Sequence, residues 1–255
     1  MDKILILYYS GVGNTKKVAE WFLSYLTPFS ETMIYSVEKL PSIFDLNNYN
    51  AVVIGFPTIH SEPAKPIMKF LNNLPPVKTR IPTFIFTTCG LYSANTLRIF
   101  AKECINKNLI PVLNRSYRCA AVDGILLAPF MKFLYDDEKN LQERIKNDSQ
   151  WFKTHYDEII NPTIPKLKWY SSLNYINKFV GNKYCFRIYL HKERCIRCGK
   201  CHINCPVQAI DVDNDNNPII ERTKCINCYR CVHHCPKLAL SLSKNQPIQK
   251  TAYIK

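Results

Sequence analysis

Apolar and polar positions along the first 160 residues fall into blocks of two kinds. Lys3–Tyr9 (KILILYY), Ala51–Phe56 (AVVIGF) and Thr83–Thr88 (TFIFTT) are short, nearly unbroken apolar runs. Runs of that length with no polar face predict strands buried on both sides. Met33–Val37 reads as another strand, and Leu109–Val122 contains a fifth. Between these runs the spacing lengthens to a helical period: Val18, Phe22 and Leu26 share one face of a helix over Asn14–Leu26. A second helix is expected over Pro63–Leu71, with proline near its start. Two more are expected over Ala94–Lys107 and Glu138–Ile160, the last with a long polar face. Five strands alternating with helices predict an α/β architecture, a doubly wound parallel sheet covered on both faces.

The pattern then changes. Asn161–Lys168 (NPTIPKLK) carries two prolines, ends the last helix, and is the expected domain boundary. The expected organisation is a first domain over 1–160, a connector over 161–184, a small α+β domain over 185–245 and a polar tail over 246–255. The stretch 169–190 is rich in aromatic residues and reads as a connector packed against both halves. Beyond it an internal repeat dominates. Cys195, Cys198, Cys201 and Cys205 recur thirty residues later as Cys225, Cys228, Cys231 and Cys235, and Pro206 recurs as Pro236.

Of the chain's 12 cysteines, eight lie in that repeat, which decides how they are read. Each half spells C-x2-C-x2-C-x3-C-P, the spacing of bacterial ferredoxins with two [4Fe–4S] clusters. A cubane needs four thiolates converging on its corners. A tight loop with cysteines three apart supplies three, and the fourth comes from the other half. On that pattern Cys195, Cys198, Cys201 and Cys235 hold one cluster, and Cys225, Cys228, Cys231 and Cys205 hold the second. A paired C-x2-C zinc site is the competing reading, but zinc takes four ligands per ion and does not call for two such eight-sulfur runs. Pro206 and Pro236 are expected to stop each cysteine loop and turn the chain into a short helix. Ile196, Ile203, Val207, Ile226, Val232 and Leu238 are expected to shield the clusters from water. His202, His233 and His234 read as exposed polar loop residues, because the sulfurs already complete the ligand sets.

A second site is legible after the first strand. Ser10-Gly11-Val12-Gly13-Asn14-Thr15 opens directly into a helix, so its backbone N–H groups and the helix N-terminus suit a phosphate. It is neither a Walker A loop nor G-x-G-x-x-G. An ordinary capped helix start is the plain alternative. In an open parallel sheet the ligand sits beyond the strand C-termini. Pro57-Thr58-Ile59-His60 and Thr88-Cys89-Gly90-Leu91-Tyr92 follow the third and fourth strands there, and could flank a flavin ring with His60 and Tyr92 stacking.

Ser10, Gly13, Asn14 and Thr15 resemble the flavodoxin loop [ST]-x-[ST]-G-N-T, with Val12 standing where that family carries a hydroxyl. The whole chain resembles the flavodoxin–ferredoxin fusion proteins of anaerobes. The resemblance implies a flavodoxin-like first domain binding FMN and a ferredoxin-like second domain with two [4Fe–4S] clusters. It implies an electron carrier joining one- and two-electron chemistry. A flavin-dependent reductase of a quinone, nitro compound or tetrapyrrole is the alternative, and a partner-binding module that has lost its flavin is a third reading.

The remaining features adjust this picture. The formal net charge is +14, and two clusters at about −2 each leave about +10. An acidic redox partner is one reading of that excess, and a lysine-rich surface without a specific role is the other. No nucleic-acid-binding pattern is present. Nothing resembles a signal peptide or a membrane span, so a cytoplasmic protein is expected. Cys89 reads as a small inert side chain or a redox-active thiol. Cys104, Cys119 and Cys185 read as buried structural thiols, and Asp123-Gly124 as a turn. Lys16 and Lys17 either draw a phosphate or face solvent. No Ser–His–Asp set or carboxylate pair supports hydrolysis.

Overall fold

The computed structural model describes residues 1–120, 136–158, 161–169, 187–242 and 244. In the first domain β1 (Lys3–Tyr8), β2 (Glu31–Ser36), β3 (Ala51–Ile59), β5 (Ile81–Cys89) and β6 (Leu109–Arg118) form a parallel sheet in the order β2-β1-β3-β5-β6. A two-residue strand, β4 (Glu62–Pro63), pairs antiparallel with the end of β3. Helices α1 (Asn14–Leu26) and α4 (Glu138–His155) cover one face, and α2 (Lys65–Asn73) and α3 (Thr96–Ile105) cover the other.

Strand alternation builds two cores from one apolar run. Ile4 and Ile6 point into the α1/α4 side, while Leu5 and Leu7 point into the α2/α3 side, and all four are fully buried. On the α1/α4 side Phe22 stacks on Phe86 at 5.1 Å and meets Phe84 edge-on at 5.0 Å. Gly55 permits this packing, since a Cβ there would lie 2.0 Å from the Phe86 ring. Asp148 of α4 accepts from Arg115 Nε and the Tyr117 hydroxyl, both at 2.8 Å, and fixes that helix to β6.

The expected α/β architecture stands, with several differences in detail. Pro57, Thr58 and Ile59 continue β3 and are not loop. The chain turns at His60 and Ser61, whose φ values of 49° and 65° make a two-residue hairpin into β4. Pro63 therefore belongs to β4, and α2 takes Pro66 in its first turn. Asp137 starts α4 by accepting from Asn140 N at 2.9 Å, and the described helix ends at His155. Beyond it, 161–169 is tied back along the sheet edge. Thr163 N donates to Pro111 O, and Arg98 donates to Pro165 O at 2.8 Å. Ile160, Asp123-Gly124, Cys185, most of the connector and the tail over 246–255 lie outside the described residues.

The second domain is built on two small antiparallel ladders, β7 (Tyr189–Leu190) with β10 (Leu240–Ser241) and β8 (Ile210–Val212) with β9 (Pro218–Ile220). Its short helices, α5 (Lys200–Ile203) and α6 (Arg230–His234), precede Pro206 and Pro236 instead of following them. The third cysteine of each run sits on the helix, and the proline closes the turn after the fourth. The sequence repeat is also a backbone repeat. Arg197 and Asn227 have φ of 55° and 54°, Gly199 and Tyr229 have 68° and 56°, and Gln208 and Leu238 have 51° and 53°. Left-handed residues at matched positions give each cysteine loop the same fold. Among the described residues no helix is long and apolar enough to cross a membrane.

Candidate flavin and iron–sulfur site

The first site forms where β1, β3 and β5 end, next to the point at which strand order reverses between β1 and β3. Helix α1 starts from Gly13 in the left-handed region (φ 114°) with no side chain capping it. The N–H groups of its first turn are thus left to the loop, as an anion site requires. Ser10 Oγ accepts from Gly13 N at 3.0 Å and holds the loop closed. The strand ends are knitted by hydroxyls: Thr15 to Thr88 at 2.7 Å and Thr58 to Thr87 at 2.9 Å. Asn14 Nδ2 donates to Ala120 O at 2.8 Å and joins the loop to the end of β6.

These elements border an open cleft with about 710 Å³ of space between its walls, open solvent included. Ser10, Gly11, Val12, Asn14 and Thr15 line it from the first loop, Pro57 to His60 from the second, and Thr88, Cys89 and Gly90 from the third. Cys119 and Ala120 complete the wall. Gly13 shapes the loop from behind. Leu91 and Tyr92 are outside the lining and about half exposed, so Tyr92 is not placed to stack in the cleft. A buried loop with small residues, an uncapped helix start and converging hydroxyls fits a flavin phosphate.

Three lining residues come from the other domain: Asn227, Cys228 and Tyr229. Asn227 Nδ2 donates to His60 Nε2 at 3.1 Å. The Cys228 carbonyl lies against Gly11, where a Cβ would come within 3.0 Å of it. Arg230 spans the junction. It donates to Ser10 O at 2.8 Å and Gly11 O at 3.4 Å, and pairs with Glu38 at 2.5 Å. Its guanidinium also sits over the Tyr9 ring, 5.3 Å from the centroid. The Tyr9 hydroxyl is pushed up out of its ordinary range by burial and then by the neighbouring Cys228, so it stays protonated there.

All eight repeat cysteines are free thiols. Cys195, Cys198, Cys201 and Cys235 line one cavity together. Burial pushes the Cys225 thiol up, and Cys205 of the other half adds to the push. Cys231 is raised by burial and then by Cys228, Cys225, Cys201 and Cys205. Each fourth cysteine is thus brought to the opposite half. Ala209 N donates to Cys205 Sγ and Ala239 N to Cys235 Sγ, both at 3.2 Å, the same contact in each half. Two sets of four soft donors with N–H support suit iron–sulfur clusters.

Other expectations are settled by burial and pairing. Ile226 and Val232 are covered, whereas Ile196 and Ile203 are 55% and 78% exposed, although Ile196 still lines the cavity of the outer cysteines. His233 is buried, not an exposed loop residue, because it sits on the inward face of α6 with Val232. Burial pushes the Cys89 thiol up to about 11, which makes it inert near neutral pH. Cys104 and Cys119 are buried too. Lys16 pairs with Glu20 and Lys17 with Glu138, so both brace helices. Asn227, Tyr229, Arg230 and Glu38 were not singled out from sequence. Aligning the two repeat halves would have exposed the first three, since they replace Arg197, Gly199 and Lys200.

Residues 5–157 match the flavodoxin domain family and residues 189–242 match the 4Fe–4S dicluster domain family. No curated protein matches the chain. Among solved structures, a flavodoxin from the domain Archaea is 19% identical, covering 61% of this chain and 99% of its own, with a TM-score of 0.44. The rubredoxin oxygen:oxidoreductase of the anaerobe Desulfovibrio gigas is 13% identical over 62% of this chain and 37% of its own, with a TM-score of 0.46. A Fusobacterium nucleatum flavodoxin bound to flavin mononucleotide is 13% identical over 61% of this chain and 99% of its own, with a TM-score of 0.42. FMN and iron–sulfur clusters follow as the cofactors of the two matched domains. The chain belongs to the flavodoxin domain family, carries a 4Fe–4S dicluster domain after it, and is a flavin and iron–sulfur electron-transfer protein.

Proposed function

We propose that the chain is an electron carrier of the flavodoxin–ferredoxin fusion kind, linking one-electron and two-electron redox partners through two clusters and FMN. When bound, the clusters exchange single electrons and FMN exchanges one or two. In this reading Cys195, Cys198, Cys201 and Cys235 hold an outer cluster, and Cys225, Cys228, Cys231 and Cys205 hold an inner one. Ser10 to Thr15 hold the flavin phosphate, and Pro57–His60 and Thr88–Gly90 flank the ring. The domains run over 1–160 and 185–245, joined by 161–184 and followed by a tail over 246–255.

The observation that carries the reading is the shared wall. The Asn227–Tyr229 turn of the cysteine repeat lines the same cleft as the phosphate loop. Arg230 pins that turn to Ser10 O and Glu38, holding the Asn227–Tyr229 turn against the loop. The same wall weighs against the reductase alternative. A small acceptor stacked in the cleft would compete for space the chain's own turn fills.

A Ser10→Ala/Thr15→Ala double variant tests the flavin assignment. Its releasable flavin, measured by mass analysis after anaerobic purification, should fall about tenfold, while iron and sulfide stay at wild-type levels. Wild-type flavin content in the variant would sink the assignment.

A further inference from the structure

The two halves of the cysteine repeat share a backbone but not an environment. On the inner half Ile226 and His233 are 6% and 4% exposed. Their counterparts on the outer half, Ile196 and Ile203, are 55% and 78% exposed, and Cys198 is the exposed member of the eight ligand positions. The first domain lies against the inner half at residues 227–230. It offers a carboxylate, Glu38, and two backbone carbonyls, Ser10 and Gly11, to Arg230.

The matched positions on the outer half are basic as well. Lys200 stands where Arg230 stands, and Arg197 where Asn227 stands. Both border the cavity shared by Cys195, Cys198, Cys201 and Cys235, together with Lys237 and no acidic residue. Among the described residues none of these three cations is in an ion pair. The adjoining β8–β9 hairpin carries Asp211, Asp213 and Asp215, and among the described residues none of them is in an ion pair with these cations. Its Asp213 carboxylate is engaged by the N–H groups of Asp215 and Asn217.

We propose that the face around Cys198, framed by Ile196, Arg197, Lys200, Ile203 and Lys237, docks an acidic electron-transfer protein. The inference rests on the carrier reading above. The partner presents to Lys200 and Arg197 what the first domain presents to Arg230, a carboxylate beside a small apolar contact. A small apolar patch ringed by cations, with a thiol ligand at its centre, suits brief docking steered by charge. In each encounter one electron leaves the reduced partner and one enters this protein. No bond is made or broken and no proton moves.

The test uses the anaerobic holoprotein and, as probe, an acidic bacterial 2[4Fe–4S] ferredoxin. Binding between the two oxidised proteins is titrated at low and high salt, and reduction by the dithionite-reduced probe is followed by stopped flow. Arg197→Glu/Lys200→Glu should weaken low-salt binding and slow low-salt reduction by about tenfold, with the gap closing as salt rises. Lys102→Glu/Lys146→Glu, an equal change of charge on α3 and α4, should stay within about twofold of wild type. Iron, flavin and direct reduction by dithionite should be unchanged in both. Equal binding by the two variants, or wild-type binding insensitive to salt, overturns the docking surface. Normal salt-dependent binding without reduction of the flavin keeps the surface and removes the carrier reading instead.

Discussion

The two domains reach stability by opposite routes. In the first, a parallel sheet is sandwiched between two apolar layers that include Phe22, Phe84, Phe86 and Phe152 on one side and Ile54, Ile85 and Phe100 on the other. In the second, the described apolar cluster joins five buried residues, and one of them is a cysteine of the repeat, Cys231. A unit of that size buries too little apolar surface to offset the entropy of ordering its loops without help. Metal binding then becomes folding energy. The lesson is that one domain can form a site before its cofactor arrives, while the other needs its cofactor to form.

The largest effect should come from removing iron. Chelation under anaerobic conditions should abolish the second domain's hydrogen-exchange protection over 189–242 entirely, and leave protection in β1, β3 and β5 intact. Persistent protection around Ile210 and Leu240 in iron-free protein would break the contrast. Next in size is Phe22→Ala, which should cost the first domain about 3–5 kcal/mol in denaturant unfolding. Iron content should be unchanged, and a smaller cost would mean the aromatic cluster repacks. The smallest effect lies at the junction. Arg230→Ala leaves Glu38 and the Ser10 carbonyl without their shared donor, at a cost of about 2–3 kcal/mol in domain docking. It should speed exchange at 10–13 and 227–229 with both cofactors retained. Unaltered exchange there would show that the junction is held without Arg230.

Legibility in the sequence followed the same division. The buried strands could be read because apolar residues on both faces leave an unbroken run, as at Lys3–Tyr8. Helix α1 fell on the expected span because Val18, Phe22 and Leu26 mark one face. The β3–β4 hairpin could not be read. Its turn uses His60 and Ser61 in left-handed conformations, where Asn and Gly are the usual signals. The second domain itself was legible from the cysteine spacing, which matches the 4Fe–4S dicluster domain family over 189–242. What no local pattern carries is the junction: Arg230 meets Glu38 across 192 positions, and tertiary packing alone joins them. Ile203 could not be read from apolar character, because it is 78% exposed on a helix of four residues.

Gly11 carries a consequence for how such a protein can be rebuilt. A methyl group at Gly11 would stand 3.0 Å from the Cys228 carbonyl, so any larger residue makes the seam open by a few tenths of an ångström. A foreign dicluster module grafted after residue 160 would therefore not seat by default. Gly11 and Glu38 on one side, and Asn227 and Arg230 on the other, would have to travel as a matched set.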